Sequence, residues 1–223
     1  FVPQTGDRVY VIGTPAETTR VLRSMGRAMA PIRRVSILGG GRIAQYLAWM
    51  LADVGTRVTI VEKNEAKCLT LAEKLPKATI IRGDGTDHHL LESEGIFHCD
   101  AFIALTDRDE ENLLMALTAK RYGVKKVVPK MSRLGYLDIV SLTGLDSVVS
   151  PKAIVAGQIS SYVRGLANSQ GSAVESLHYI LGGAIEAVEF TATSATHFLD
   201  RPLSNLHFRN GLLVAAIVHN GRM

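Results

Sequence analysis

The chain lacks most features that would mark it as secreted, membrane-spanning or metal-held. Only two of its 223 residues are cysteine. Cys68 and Cys99 do not have the C-x-x-C spacing of a metal or redox pair, so reduced thiols in a cytosolic protein are the simplest account. No apolar run approaches the roughly 18 residues needed to span a bilayer; the longest, such as 212–218, are the size of strands. Phe1 leads directly into strand-like sequence without the pattern of a signal peptide. Membrane association is therefore expected only through a partner. Aromatic residues make up 6% of the chain, with a single tryptophan, and the net charge of +4 comes from scattered Lys and Arg. The densest basic stretch, Lys120 to Arg133, is interrupted by buried-type residues. It reads as a solvated helix end followed by a strand, not as a nucleic-acid surface. Among the histidines only His88 and His89 are adjacent, and on a helix they point about 100° apart; no metal site is expected. At 47% hydrophobic and 21% charged, the composition is that of a globular protein with a sizeable core.

What is present is an ordered set of parts. The apolar run Val35-Ser36-Ile37-Leu38 enters Gly39-Gly40-Gly41-Arg42-Ile43-Ala44, a turn of the form G-x-G-x-x-A, and Val58-Thr59-Ile60-Val61 ends on Glu62. Gly41 to Glu62 is 21 positions, close to the roughly 20 of a dinucleotide-binding βαβ unit. Gly39 permits the tight turn, Gly41 lets the backbone approach a pyrophosphate, and Ala44 lets the helix pack on the strand. Free N–H groups at the helix start face the negative charge. Glu62 would accept hydrogen bonds from a ribose diol and repel a 2′-phosphate. Without a ligand, the same glycines read as an ordinary strand-to-helix turn and Glu62 as a surface acid at a strand end.

Around this unit, residues 33–150 alternate strand-like and helix-like segments. Apolar runs at 35–38, 58–61, 78–81, 101–105, 126–128 and 147–149 read as six buried parallel strands. Between them, 42–53 places Ile43, Leu47, Met50 and Leu51 at helical spacing. Residues 64–75 open on the capping residue Asn64, and 109–121 carry Leu113, Leu114, Ala116 and Leu117 on one face. The expected fold is α/β, a Rossmann-like doubly wound parallel sheet with its ligand crevice at the carboxyl ends of the strands. Asp84, Leu105 and Thr106 fall at such ends. From the residues alone Asp84 reads almost equally as a polar turn in Gly83-Asp84-Gly85, and Asp107 with Asn112 as a helix cap.

After residue 150 the pattern changes. Ser150 and Pro151 open a long helix at 153–166, whose Ile154, Val155, Ile159, Val163 and Leu166 form an apolar stripe. Residues 167–172 have linker composition. Residues 184–191 alternate apolar and polar positions, and 212–218 lead into Asn220-Gly221, a hairpin turn with no returning strand. At the other end, 6–13 reads as a turn and a final strand. The expected organisation is a terminal strand of a preceding small domain (1–13), a linker helix (14–32), the nucleotide-binding domain (33–150), a crossover helix and linker (151–172) and a smaller, incomplete α+β domain (173–223). Such half-domains suggest a fragment of a tandem repeat.

The order of parts resembles the Trk-type potassium-uptake regulators, whose KTN or RCK domains bind nucleotide and gate potassium transporters from the cytoplasmic side. The carriers are Leu38 to Ala44, Val61-Glu62, Ile81 to Asp87, Ala104 to Asn112 and Val148 to Pro151. Residues 6–11 are similar to the close of that family's small C-terminal domain, and 173–221 to its first part. The resemblance implies NAD or NADH as ligand, with ATP or ADP as further candidates. It would be held by Gly39, Gly40, Gly41, Arg42 and Ile43 at the phosphates and Glu62 at the ribose. Asp84 and Gly85 would meet the adenine edge, Leu105 and Thr106 would line the crevice, and Lys130 would stand where the family often has Arg after the fifth strand. A lysine meets a phosphate only as a point charge, without the planar fork of arginine. The resemblance also implies a homo-oligomer bound to a membrane-embedded potassium transporter subunit, cytoplasmic and peripheral to the inner face of the membrane, with no nucleic acid.

An NAD-dependent oxidoreductase, or its cofactor-binding domain, is the alternative. Hydride transfer needs an acid or base beside the nicotinamide and a substrate domain. No Ser-His-Asp order or paired carboxylates stand out, so no catalytic residue is expected and a non-enzymatic regulator is the stronger reading.

Overall fold

Residues 34–38 leave their first position exposed and bury the next four, as a strand covered on both faces requires. This is β1 (Arg34–Leu38) of a computed structural model that describes residues 4, 11, 13–26, 31–133, 135–136, 142–145, 147–167, 174–180, 185–194, 196, 199, 201–206 and 211–219. The chain divides into two compact units, Phe1–Pro31 with Thr191–Met223, and Ile32–Phe190.

In the larger unit, β1 is followed by α2 (Arg42–Asp53), β2 (Arg57–Glu62), α3 (Glu65–Lys74), β3 (Ala78–Arg82), α4 (His88–Ser93), β4 (Ala101–Ala104), α5 (Asp109–Arg121) and β5 (Lys126–Pro129). The five strands form one parallel sheet in the order β3-β2-β1-β4-β5. The order reverses between β1 and β4, the switch point at which such sheets open a crevice. One face is covered by α2 and α3 through Ala44, Ala48 and Leu71 against Ile37, Val58 and Ile60. The other is covered by α4 and α5 through Leu91, Met115, Ala116 and Ala119 against Phe102 and Val61. Ile37 and Phe102 are wholly buried, and truncating either to alanine is expected to cost about 2–5 kcal/mol.

The Rossmann-like architecture is as the strand and helix pattern indicates, with three local corrections. The run at 147–149 is not a sixth buried strand: Val149 makes a single parallel bridge to Lys130 at the edge of β5, and residues 147–149 are only half-buried. Helix α2 does not pack through Ile43 and Met50, which are 44% and 60% exposed; Ala44 and Ala48 face the sheet instead. The sheet surface admits α2 so closely that small residues, not the largest apolar ones, mark its inner side. For the same reason α5 buries Met115, Ala116 and Ala119 and leaves Leu114 exposed.

Helix α6 (Pro151–Ala167) begins two residues earlier than its apolar pattern suggests. Ser150 precedes it, but its buried Oγ has no hydrogen-bond partner among the described residues and supplies no cap. Ile154, Val155, Ile159 and Val163 stand 51–58% exposed, so this stripe is not spent on the chain's own sheet. Strands β6 (Val174–Ile180) and β7 (Ile185–Phe190) then pair antiparallel, in keeping with the alternation at 184–191.

In the smaller unit, Thr14 caps α1 (Pro15–Ser24) in a capping box with Glu17. Residues 212–218 are neither helix nor strand. The turn at Asn220-Gly221 and the strand expected over residues 6–13, Val11 and Gly13 apart, lie outside the described residues.

Candidate functional site: the crevice at the carboxyl ends of the strands

The ladder of the sheet continues past the strand ends and sets the crevice floor. Gly39 N–H donates to Val61 O at 2.8 Å, Leu105 N–H to Leu38 O at 2.7 Å, Gly83 N–H to Glu62 O at 3.0 Å and Lys130 N–H to Ala104 O at 2.8 Å. Parallel register thus aligns Gly39, Glu62, Gly83, Leu105 and Lys130 along one edge. Five segments far apart in sequence become neighbours there.

The three glycines of the turn do different work. Gly39 has φ +93°, and a Cβ there would lie 3.0 Å from Thr106 N and 3.1 Å from Leu105 O. Only glycine meets both the backbone geometry and the close approach. A Cβ on Gly40 would lie 2.5 Å from Leu71 Cδ1 and 3.0 Å from Glu62 Oε2. Gly41 is the N-cap of α2 with ordinary extended backbone (φ −70°, ψ 178°) and no side-chain cap hydrogen bond. A Cβ there would meet nothing within 4 Å. That open space lies at the start of a 12-residue helix whose first N–H groups have no intrahelical partner. Arg42 and Ile43 are exposed beside it. The cradle fits an anionic group reaching the backbone, as a dinucleotide pyrophosphate does.

Glu62, at the end of β2, is 9% exposed. Its Oε2 accepts the Gly40 N–H at 2.8 Å and its Oε1 accepts the Asn64 N–H at 2.8 Å. Each carboxylate oxygen keeps a further lone pair, so the group can still receive a ribose hydroxyl while it fixes the turn. Cys68 donates its thiol to Glu62 O at 3.2 Å, and burial pushes that thiol up, away from the reactive thiolate. The same cause pushes up Cys99.

Asp84 is engaged in its own turn. Its Oδ2 pairs with Lys63 Nζ at 2.6 Å, and its Oδ1 accepts Thr86 N–H at 2.9 Å and the Thr86 hydroxyl at 2.8 Å. The Lys63 ammonium and then the Thr86 N–H hold its carboxyl well below the usual carboxylate range. The structure therefore places Asp84 at the crevice edge as part of a fixed turn. Gly85 follows it, and a Cβ there would come within 2.5 Å of Leu38 Cδ1; the loop after β3 thus folds back onto the end of β1.

The wall opposite is held by two residues of α5, one of which reads from sequence as a cap and the other of which carries no motif of its own. Asn112, wholly buried on α5, accepts Thr106 N–H at 2.9 Å and the Thr106 hydroxyl at 2.8 Å through Oδ1. Its Nδ2 donates to Thr106 O at 3.1 Å and to Lys130 O at 3.0 Å. Asp109, 2% exposed, accepts the N–H groups of Ser132 and Arg133 at 2.8 Å each. The cap reading of Asp107 and Asn112 is corrected: the N-cap of α5 is Arg108, with no side-chain cap bond. Asp109 and Asn112 instead clamp the segments after β4 and β5. Their three-residue spacing puts both on one helix face, a signal hidden in the sequence by the other acids around them, Asp107, Glu110 and Glu111. Leu105 is buried beneath this wall, and Lys130 is half-buried at its far end. The Arg133 guanidinium stays against the start of α5, 4.0 Å from Asp109 Oδ2 through Nε, 3.0 Å from Glu110 Oε1 and over the Tyr136 ring at 5.2 Å.

Among the described residues no group of three His, Cys, Asp or Glu could hold a metal ion, and no helix is long and apolar enough to cross a membrane.

Residues 35–151 match the family model of the TrkA-N domain. The chain is 32% identical over 218 residues to Trk system potassium uptake protein TrkA homolog 2 of Methanosarcina mazei, covering 97% of this chain and 47% of that one. It is 33% identical over 220 residues to Trk system potassium uptake protein TrkA of Halomonas elongata, again covering 97% and 47%. The chain thus spans about half the length of these relatives. Among solved structures, the GsuK RCK domain aligns with a TM-score of 0.55 at 22% identity, covering 73% of this chain and 35% of that one. The GsuK channel bound to NAD aligns with a TM-score of 0.51 at 20% identity, covering 74% and 29%. At these identities the structural likeness is one of fold.

Proposed function

The chain belongs to the TrkA-N domain family, and from that premise we propose that it is the nucleotide-sensing part of a cytoplasmic regulatory subunit that gates a membrane-embedded potassium transporter. NAD or NADH is the ligand, with ATP or ADP as competitors for the same crevice. Of the five residues expected at the phosphates, Gly39 and Gly40 spend their N–H groups on Val61 O and Glu62 Oε2, so the N–H groups of Gly41, Arg42 and Ile43 hold the phosphates, Glu62 the adenosine ribose, Asp84 and Gly85 the adenine edge, and Leu105, Thr106 and Lys130 the far side. The observation that carries this is the cradle at Gly41, open to the α2 N-terminus and flanked by a buried carboxylate fixed to the turn. A bound dinucleotide touches α2, the turn after β3 and the segments after β4 and β5 at once. Its affinity then depends on how those parts are set, and by reciprocity it shifts their setting. The nucleotide acts as signal and not as reagent.

The exposed apolar stripe of α6 supports a homo-oligomer in which this helix packs on a second subunit. Through that contact a change in one crevice reaches its neighbours, and the transporter is reached without insertion of this chain into the bilayer.

The test is rubidium flux in proteoliposomes carrying the transport subunit and the complete regulatory protein. Flux is expected to differ between NADH, NAD and no nucleotide, and the difference is expected to vanish with Gly41→Ala. Flux that ignores every nucleotide would overturn the proposal, as would steady reduction of NAD by the purified chain with a hydroxy or amino acid.

A further inference from the structure

Helix α2 turns Ala44 and Ala48 to the sheet and presents a different set of residues outward. Arg42, Tyr46, Trp49 and Asp53 recur at steps of four, three and four, so at about 100° per residue they share an arc of about 60°. Tyr46 and Trp49 are 72% and 62% exposed, and Ile43, Met50 and Val54 border them, also exposed. Monomeric proteins rarely leave a contiguous patch of this kind uncovered.

The charges at its ends are equally unspent. Arg42 and Asp53 are exposed, and neither makes an ion pair among the described residues. Lys74 and Lys77 line the same hollow as Trp49 and Asp53 but do not reach ion-pair distance. Both charges also run against the helix dipole. Helices α3 and α5 carry acid in the first turn and base in the last, whereas α2 has neither. An anionic ligand at the glycine turn accounts for Arg42; nothing among the described residues accounts for Asp53.

We propose that this face is a self-complementary interface, on which α2 packs antiparallel against α2 of a second copy of this chain. The seam reads charge, aromatic, aromatic, charge of opposite sign, and reversing it gives its own complement. Arg42 meets Asp53 of the partner subunit, Tyr46 meets Trp49 of the partner subunit, and each pair occurs twice about the two-fold axis. The two helix dipoles oppose, and the misplaced charges gain partners across the contact. Aromatic anchors at the centre and charges at the rim, about 16 Å apart along the axis at 1.5 Å per residue, follow the anatomy of a specific interface. The contact stands apart from the α6 stripe.

Because Trp49 is the only tryptophan, its emission reports on this face alone. Over a dilution series of the full chain, emission is expected to shift to the blue as concentration rises, in step with an increase in sedimentation mass. Met50→Glu is expected to weaken that association at least about tenfold while leaving the circular dichroism unchanged. Arg42→Glu and Asp53→Arg each place two like-charge pairs in the seam, so each is expected to weaken it about fivefold or more. Combined, they restore it to within about twofold of the parent. Emission that stays at its solvent-exposed position over the whole series overturns the proposal, even if the chain associates through α6. So does a Met50→Glu variant that associates like the parent, or a double variant as weak as the two single changes together.

Discussion

Gly40 donates its N–H to Glu62 Oε2 at 2.8 Å, so the carboxylate that closes β2 also fixes the turn that opens α2. A single residue therefore links recognition of the ribose to the shape of the phosphate cradle. Glu62→Ala leaves the buried Gly40 N–H without its acceptor and is expected to lower stability by about 1–3 kcal/mol. It is also expected to weaken NAD binding and to reduce discrimination against NADP. Chemical denaturation and paired titrations with NAD and NADP check both; a variant that matches the parent in affinity and selectivity would remove Glu62 from the ribose site.

Gly40 and Gly41 separate fold from ligand. In Gly40→Ala the new methyl meets Leu71 Cδ1 at 2.5 Å, and the overpacking is expected to cost about 1–3 kcal/mol. In Gly41→Ala it meets no atom within 4 Å, so the melting temperature is expected to stay within a degree or two. Nucleotide affinity should nevertheless fall, since the methyl occupies the approach to the helix N-terminus. Unchanged affinity in a fully folded Gly41→Ala protein would place the phosphates elsewhere.

Asn112 is the shared anchor of Thr106 and Lys130. Asn112→Ala removes four hydrogen bonds from a wholly buried position and is expected to destabilise by about 2–4 kcal/mol. Amide hydrogen exchange is expected to quicken first at residues 105–108 and 130–133, before the sheet opens. Uniform quickening across the domain would show that Asn112 has no special hold on the crevice wall.

Asp109 sets an acid limit. Burial, the largest influence, pushes its carboxyl up, but the Ser132 and Arg133 N–H groups and the Arg133 charge together outweigh it and hold the carboxyl below its ordinary value. A carboxyl depressed in the folded state contributes stability above its unfolded value and loses it as the pH falls through the folded one. Stability is therefore expected to decline as the pH drops below about 4, and Asp109→Asn should show a shallower acid limb. Denaturation curves between neutral and strongly acid pH decide; identical limbs would mean that Asp109 is not the coupled group.

The local part of this architecture was legible in the sequence. Strand, glycine turn, helix, strand and acid lie within Val35–Glu62, so neighbouring residues carry the signal and parallel register brings the rest to the same edge. Helix faces were less legible. Periodicity favours large side chains such as Ile43 and Met50, whereas close packing of α2 on the sheet selects Ala44 and Ala48. The clamp of Asp109 and Asn112 could not be read locally, because its partners are backbone groups as far as 24 residues away. Likewise the apolar run at 147–149 has the pattern of a strand, although Val149 offers the edge of β5 a single bridge.

Calorimetric titration of the purified chain with NADH, NAD, ATP and ADP, with Gly41→Ala as the paired control, tests the nucleotide-sensing crevice most directly. Saturable binding of at least one of these nucleotides, lost or much weakened in a folded Gly41→Ala protein, is the expected result. No binding of any of the four, or binding that Gly41→Ala leaves untouched, would contradict it.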